Sequence, residues 1–175
     1  MAYDAFLKID GIDGESLESN HTGWIEVLSW SWGASQPSER MSVGSAGGGT
    51  AGKPSIAVFN MGKRVDKASP ALFLRCVTGK HIPTVTLEVG TRSESEPALI
   101  YLHLKLTNVL VSSVRPTQLL TASSQSPVGQ LPDSPVELVS FNYDKVVFEY
   151  DFPNPAGGVA TPFTATYDVK AAKGA

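Results

Sequence analysis

Between residues 98 and 111 the chain alternates residue by residue. Ile100, Leu102, Leu104 and Leu106 fall on one side, and Tyr101, His103, Lys105 and Thr107 on the other. A repeat of two residues fits an extended strand with one dry and one wet face, and it does not fit a helix. Such a strand needs neighbours for its backbone N–H and C=O groups and a second layer over its apolar face. The rest of the chain must therefore supply more strands, and it does. Tyr3, Ala5, Leu7 and Ile9 alternate in the same way before the turn pairs Asp10-Gly11 and Asp13-Gly14. Val85, Leu87 and Val89 alternate with Thr84, Thr86 and Glu88, and residues 55–60 and 163–169 read as shorter strands.

Two segments carry the period with a complication. Residues 24–33, WIEVLSWSWG, are expected to form one strand with Trp24, Glu26, Leu28, Trp30 and Trp32 on one face and Ile25 and Val27 on the other. Along residues 136–150 the apolar set changes phase, from Val139, Phe141 and Tyr143 to Val146, Phe148 and Tyr150. A bulge near Asp144 and Lys145 is expected to restore the facing.

Only one segment breaks from strand character. Ser69 as N-cap and Pro70 at the first helical position open a helix over about 69–78. Leu72, Phe73, Cys76 and Val77 share its apolar face, and Gly79 ends it. Two long loops remain, 35–54 and 115–135; the first holds glycines at 44, 47, 48, 49 and 52, and the second is rich in Ser, Gln and Pro. The expected fold is mainly β, with about seven to nine strands in a barrel or sandwich and one helix attached. All 175 residues are expected to form a single domain.

Composition removes several classes of function. A net charge of −3, with Lys and Arg scattered, does not fit a nucleic-acid binder that neutralises phosphates. One cysteine, Cys76, cannot make an internal disulfide, which suits a reducing compartment. The start, MAYDAFLKID, lacks the basic and apolar regions of a secretory signal, and no 18-residue apolar run is present, so no membrane insertion is expected.

Catalytic and binding motifs fare no better. Gly47, Gly52 and Lys53 have phosphate-loop spacing, but Pro54 stands where a hydroxyl should hold magnesium and a strand follows where a helix is needed. Asp10, Asp13 and Glu15 read as turn residues, because Ile12 and Gly14 occupy alternate positions that a calcium loop requires for ligands. His21, His81 and His103 lie far apart without metal-ligand spacing. Cys76 reads as a structural thiol, and no nucleophile motif is present, so no catalytic, cofactor or metal residues are assigned. The three tryptophans of 24–33 could stack a sugar or base, although a packed aromatic strand serves equally.

Several segments together resemble the haemolysin-coregulated protein (Hcp) family, the tube protein of the bacterial type VI secretion system. They are FLKIDGIDGES (6–16), IEVLSWSWG (25–33), VDKASPALF (65–73), TGKHIPTVTLEV (78–89), NVLVSSVRP (108–116), YDKVVFEY ending at Tyr150, and TATYDVKAA near the C-terminus. The likeness spans nearly the whole chain and departs from the family in the loops 117–135 and 151–162. It implies an antiparallel β-barrel of two sheets with the helix packed beside it, assembled as homohexameric rings. Rings would stack into a tube that is expelled with the spike and effectors, inside a sheath, with export from the cytoplasm to the extracellular space independent of a signal peptide.

On that reading two sets of residues are candidates. The glycine-rich loop, with Ser42, Val43, Gly47, Gly48, Gly49, Gly52 and Lys53, would make ring-to-ring contacts, because a flexible arm can order on a neighbour. Tyr101, His103, Lys105 and Thr107 would line the lumen or a subunit contact. The alternatives are a tail-tube protein of a phage-like contractile injection system and a carbohydrate-binding β-sandwich using the tryptophans.

Overall fold

In the computed structural model, which describes residues 3–37, 53–91, 99–117, 135–152 and 162–174, the alternating segments become strands. The elements are β1 (Tyr3–Ile9), β2 (Ile25–Glu26), β3 (Ser29–Ser31), β4 (Ala34–Ser35), β5 (Ser55–Ile56), β6 (Phe59–Arg64) and α1 (Ser69–Thr78). After these come β7 (Ile82–Thr91), β8 (Leu99–Thr117), β9 (Val136–Tyr150), β10 (Phe163–Asp168) and β11 (Lys173–Gly174). Nine strands make one antiparallel sheet in the order β11-β10-β9-β8-β7-β1-β2, with β6 paired to β9 and β3 to β6; β4 and β5 pair separately.

The long β8–β9 hairpin explains how one sheet becomes two layers. β8 pairs with β9 along nearly its whole length, while the other edge of β9 is shared. Val136 to Phe141 pair with β6, and Lys145 to Tyr150 pair with β10. Between these halves both strands change phase together. Leu104 and Leu106 point into the core on one side of Asn108, and Val109 and Val111 on the other. Asn108 adopts a left-handed conformation (φ 52°), which Asn tolerates better than other non-glycine residues. Its amide donates to Asp144 Oδ2, and its Oδ1 lies 2.9 Å from His81 Nδ1. The bulge expected at Asp144 and Lys145 is absent: pairing stays in register there, and the shift falls between Val111 and Ser113. Both strands change phase together at Asn108 and Asp144, so the pairing needs no extra residue at that point.

Segment 24–33 also differs from expectation. It is two short strands, the first paired with β1 and the second with β6. At the step between them Val27 N donates to Ala5 O (2.9 Å) and Leu28 N donates to Gly62 O (2.8 Å). The ladder around the barrel is therefore interrupted at this point. Changing partner also changes phase: Ile25 and Val27 are buried, and Trp30 and Trp32 pack on the core. Trp24 stays with the outward set, so the three tryptophans do not share one stacking face.

Apolar side chains from both layers, among them Leu7, Ile25, Phe59, Leu87, Leu104 and Phe141, are at most 1% exposed. Each contributes roughly 1.5–3 kcal/mol by leaving water. Helix α1 packs beside this barrel against β8. Its predicted span holds, with Pro70 in the first turn and Gly79 as a left-handed cap (φ 63°). Its predicted cap and face do not. Ala68 occupies the cap position with no side-chain cap bond, because Ser69 begins the helix and turns its hydroxyl inward. Leu72 is buried and Cys76 partly buried, but Phe73 and Val77 point to solvent.

Candidate functional site

The outward face of β7, β8 and β9 carries the polar residues singled out from the sequence. Antiparallel pairing sets them in rows: Glu88, His103 and Glu149 in one, and Thr84, Thr107 and Lys145 in another. Lys105 is exposed and Thr107 half-buried. Tyr101 is half-buried too, meeting Tyr150 edge-on at 6.3 Å and packing partly on the core. The four lie along one strand, β8, with Tyr101 also in contact with Tyr150.

His103 joins a chain of ionisable groups that the sequence did not disclose. Its Nδ1 faces Glu88 Oε1 at 3.5 Å and its Nε2 faces Asp151 Oδ2 at 3.4 Å. Asp151 Oδ1 is buried without a hydrogen-bond partner among the described residues. The other oxygen of Glu88 lies 2.8 Å from Nε2 of His21, whose Nδ1 lies 2.5 Å from Glu18 Oε2. His21 is 2% exposed, stacked on Phe6 at 4.3 Å and edged by Trp24. Partial burial works to raise the Glu18 carboxyl, yet hydrogen bonds from His21, Ser19 and the Asn20 N–H hold it below its ordinary value. This arrangement pins the loop of residues 14–24 to the sheet, helped by Gly14 N to Gly23 O (2.8 Å) and Gly23 N to Ser16 O (2.9 Å). Sequence spacing gave no sign of it, since His21 meets Glu88 on a strand 67 residues away.

A second charged cluster lies inside. Lys63 is 0% exposed and Glu137 1% exposed, and the two are cross-strand partners between β6 and β9. Lys63 Nζ donates to Glu137 Oε1 (2.9 Å), Asp66 Oδ1 (2.7 Å) and Arg64 O (2.7 Å), using its three hydrogens, and lies 3.2 Å from Ser69 Oγ. Ser69 Oγ donates to Glu137 Oε1 at 2.8 Å and accepts from Asp66 N. The network clamps the start of α1 to the barrel. Its sequence signal was the alternation Phe59, Met61, Lys63, which puts a lysine on the inward side. A third polar anchor holds the tryptophan strand, where Trp32 Nε1 donates to Tyr143 and the Tyr143 hydroxyl donates to Ala57 O at 2.9 Å. Burial raises the Tyr143 hydroxyl above its ordinary value, partly offset by the Trp32 bond.

Of the glycine-rich loop candidates, Lys53 is exposed, and Ser42, Val43, Gly47, Gly48, Gly49 and Gly52 lie outside the described residues. Cys76 is partly buried. No helix among the described residues is long and apolar enough to cross a membrane.

Among the described residues, apolar side chains stand exposed in groups at two places. Helix α1 presents Phe73, Leu74 and Val77, each more than half exposed. At the other end of β9, Phe152 is 52% exposed and Phe163 68% exposed, with Ala165 beside them.

Comparison with known proteins agrees with the architecture. A profile of the family described as "Type VI secretion system effector, Hcp" matches residues 6–150. Protein hcp1 of Pseudomonas aeruginosa is 38% identical over 158 residues, covering 90% of this chain and 88% of that protein. A solved structure described as a type six secretion system protein superposes with a TM-score of 0.83 at 30% identity, covering 99% of this chain and 100% of the other. Hcp1 from Salmonella typhimurium superposes with a TM-score of 0.71 at 34% identity, covering both chains in full.

Proposed function

This chain belongs to the Hcp family of the type VI secretion system, and from that premise we infer that it acts by assembling into the system's secreted tube. The observation that carries this reading is the family match across residues 6–150 joined to a likeness in fold over the whole chain. On this reading its work is structural, which is what the family match supports. Six copies close a ring through one repeated head-to-tail contact, and a different contact along the axis stacks rings without limit. Effectors and the spike travel with the tube, and the sheath surrounds it.

Negative-stain microscopy with analytical ultracentrifugation tests this directly. The purified protein gives annular particles several times the 18.6 kDa chain mass. A lone 18.6 kDa species at high concentration, without annular images, overturns the reading.

Ring stacking is assigned to Ser42, Val43, Gly47, Gly48, Gly49, Gly52 and Lys53 on the strength of their composition. Removing residues 44–52 leaves rings on a sizing column and abolishes tubes in micrographs; normal tubes refute the assignment. The polar row Tyr101, His103, Lys105 and Thr107 keeps two possible places, the lumen or a subunit contact, and charge-reversing Lys105→Glu separates them. Altered ring yield marks a contact, and altered cargo retention in intact rings marks the lumen.

A further inference from the structure

Sheets and helices each need a second layer over their apolar side. In this chain two elements lack one among the described residues. The inner side of α1 is spent on the barrel through Leu72, Ala71 and Cys76, while Phe73, Leu74 and Val77 are 58%, 59% and 62% exposed on its outer side. The second element is the outer end of the β9–β10 pair. Phe148, Tyr150 and Phe152 follow one parity along the chain, and antiparallel pairing places Phe163 across from Tyr150 and Ala165 across from Phe148. Nearer the barrel this face is covered, with Phe148 against Trp32 at 5.6 Å and Tyr167 on the core. Farther out the cover stops, and Phe163 and Phe152 stand 68% and 52% exposed.

The two patches are of different kinds, one a helix face and one a sheet face, and they sit on different parts of the chain. A ring closed by head-to-tail contacts needs two unlike surfaces on each copy, whereas a two-fold dimer needs only one that matches itself. Each patch offers on the order of 300 Å² of apolar surface, the size of the largest patch on an ordinary monomer. A stable interface buries roughly 800 Å² on each partner, so these side chains form its centre and polar neighbours its rim.

We infer that the outer face of α1 in one copy docks on the uncovered β9–β10 face of the next, with Phe73, Leu74 and Val77 against Phe152, Phe163 and Ala165. The occupant of each patch is thus a second copy of this chain. The inference rests on the ring reading and adds to it which surfaces meet.

Thiol cross-linking tests it. In a Cys76→Ala background, Val77→Cys and Ala165→Cys are made singly and together, and treated with a short bifunctional thiol reagent. Mixing the two single variants gives a covalent dimer, and neither variant alone gives one. The doubly substituted chain gives a ladder of bands that ends at the closed ring. A Val77→Cys variant that links to itself, a mixture that yields no dimer, or a double variant that reacts only within one chain overturns the assignment. As a second measurement, Phe163→Glu alters an exposed residue, so the monomer melts as before while the ring peak is lost. Unsubstituted protein that fails to form rings defeats the parent reading; rings that persist in Phe163→Glu defeat this inference alone.

Discussion

Replacing Lys63 by methionine is the sharpest probe of what organises this barrel. The side chain is fully enclosed, and its ammonium group holds two carboxylates and a carbonyl. Methionine has a similar volume, so packing changes little and the lost charge dominates. Glu137, 1% exposed, then keeps only the Ser69 hydroxyl as a donor among the described hydrogen bonds. Removing one partner of a buried ion pair costs about 3–5 kcal/mol, because the charge left behind has neither water nor counter-ion. For a chain of this length each kcal/mol shifts the melting temperature by about 2–4 °C, so Lys63→Met lowers it by roughly 6–20 °C. The assay is thermal and urea unfolding at one fixed protein concentration, since assembly would otherwise stabilise the folded state by mass action. The double variant Lys63→Met with Glu137→Leu removes the stranded charge and recovers at least half of the loss, because apolar replacements of a buried pair are often neutral. Asp66 still accepts from Ala68 N and is 12% exposed, so it reaches water. The reasoning fails if Lys63→Met costs less than about 1 kcal/mol, or if the double variant is no more stable than the single one.

Three further outcomes follow from particular contacts. Glu18 has a folded carboxyl held below its ordinary value of 4.5, so it adds stability above that pH and loses it as pH falls through the lower folded value. Melting temperature plotted against pH therefore falls less steeply between about pH 5 and 3 in Glu18→Gln than in the unsubstituted protein. Asn108→Ala costs about 1–2 kcal/mol in urea unfolding, since alanine pays for the left-handed backbone and loses the Asp144 bond; Asn108→Gly regains the backbone part. Gly14→Ala costs about 1–3 kcal/mol or more, because a methyl group there would meet Trp24 O at 2.2 Å and Ile25 Cα at 2.6 Å, both backbone; amide exchange over residues 14–24 rises with it.

Much of the architecture was legible in the chain because alternation is a local property. Leu104 and Leu106 or Val85 and Leu87 need no knowledge of their partners to declare one dry face, since the pleat itself sets the period. Helix α1 was legible in the same way from Pro70 and Gly79, which act on their own backbone. The family motifs were likewise readable in order along the chain. What failed were statements about which side of an element stays covered. Phe73 and Val77 belong to the apolar set of α1 by spacing, yet the barrel covers only the Leu72 side, and nothing within the helix records where its neighbour stops. The strand of 24–33 was read as one because its period is unbroken in sequence, but its halves find different partners, β1 and then β6, and the change of partner turns Trp30 and Trp32 inward.

The polar interior shows the same division. The sequence by itself determined that strands with these periods would pair into an antiparallel β-structure with one helix beside it. Only the tertiary structure decided that Lys63 meets Glu137 across 74 residues and that His21 meets Glu88 across 67. Strand pairing brings distant residues to within hydrogen-bond distance, and the enclosure that removes water turns those meetings into fixed anchors. Periodicity is set by the chain's own geometry; burial is set by what lies opposite, and that exists only once the strands have paired into layers.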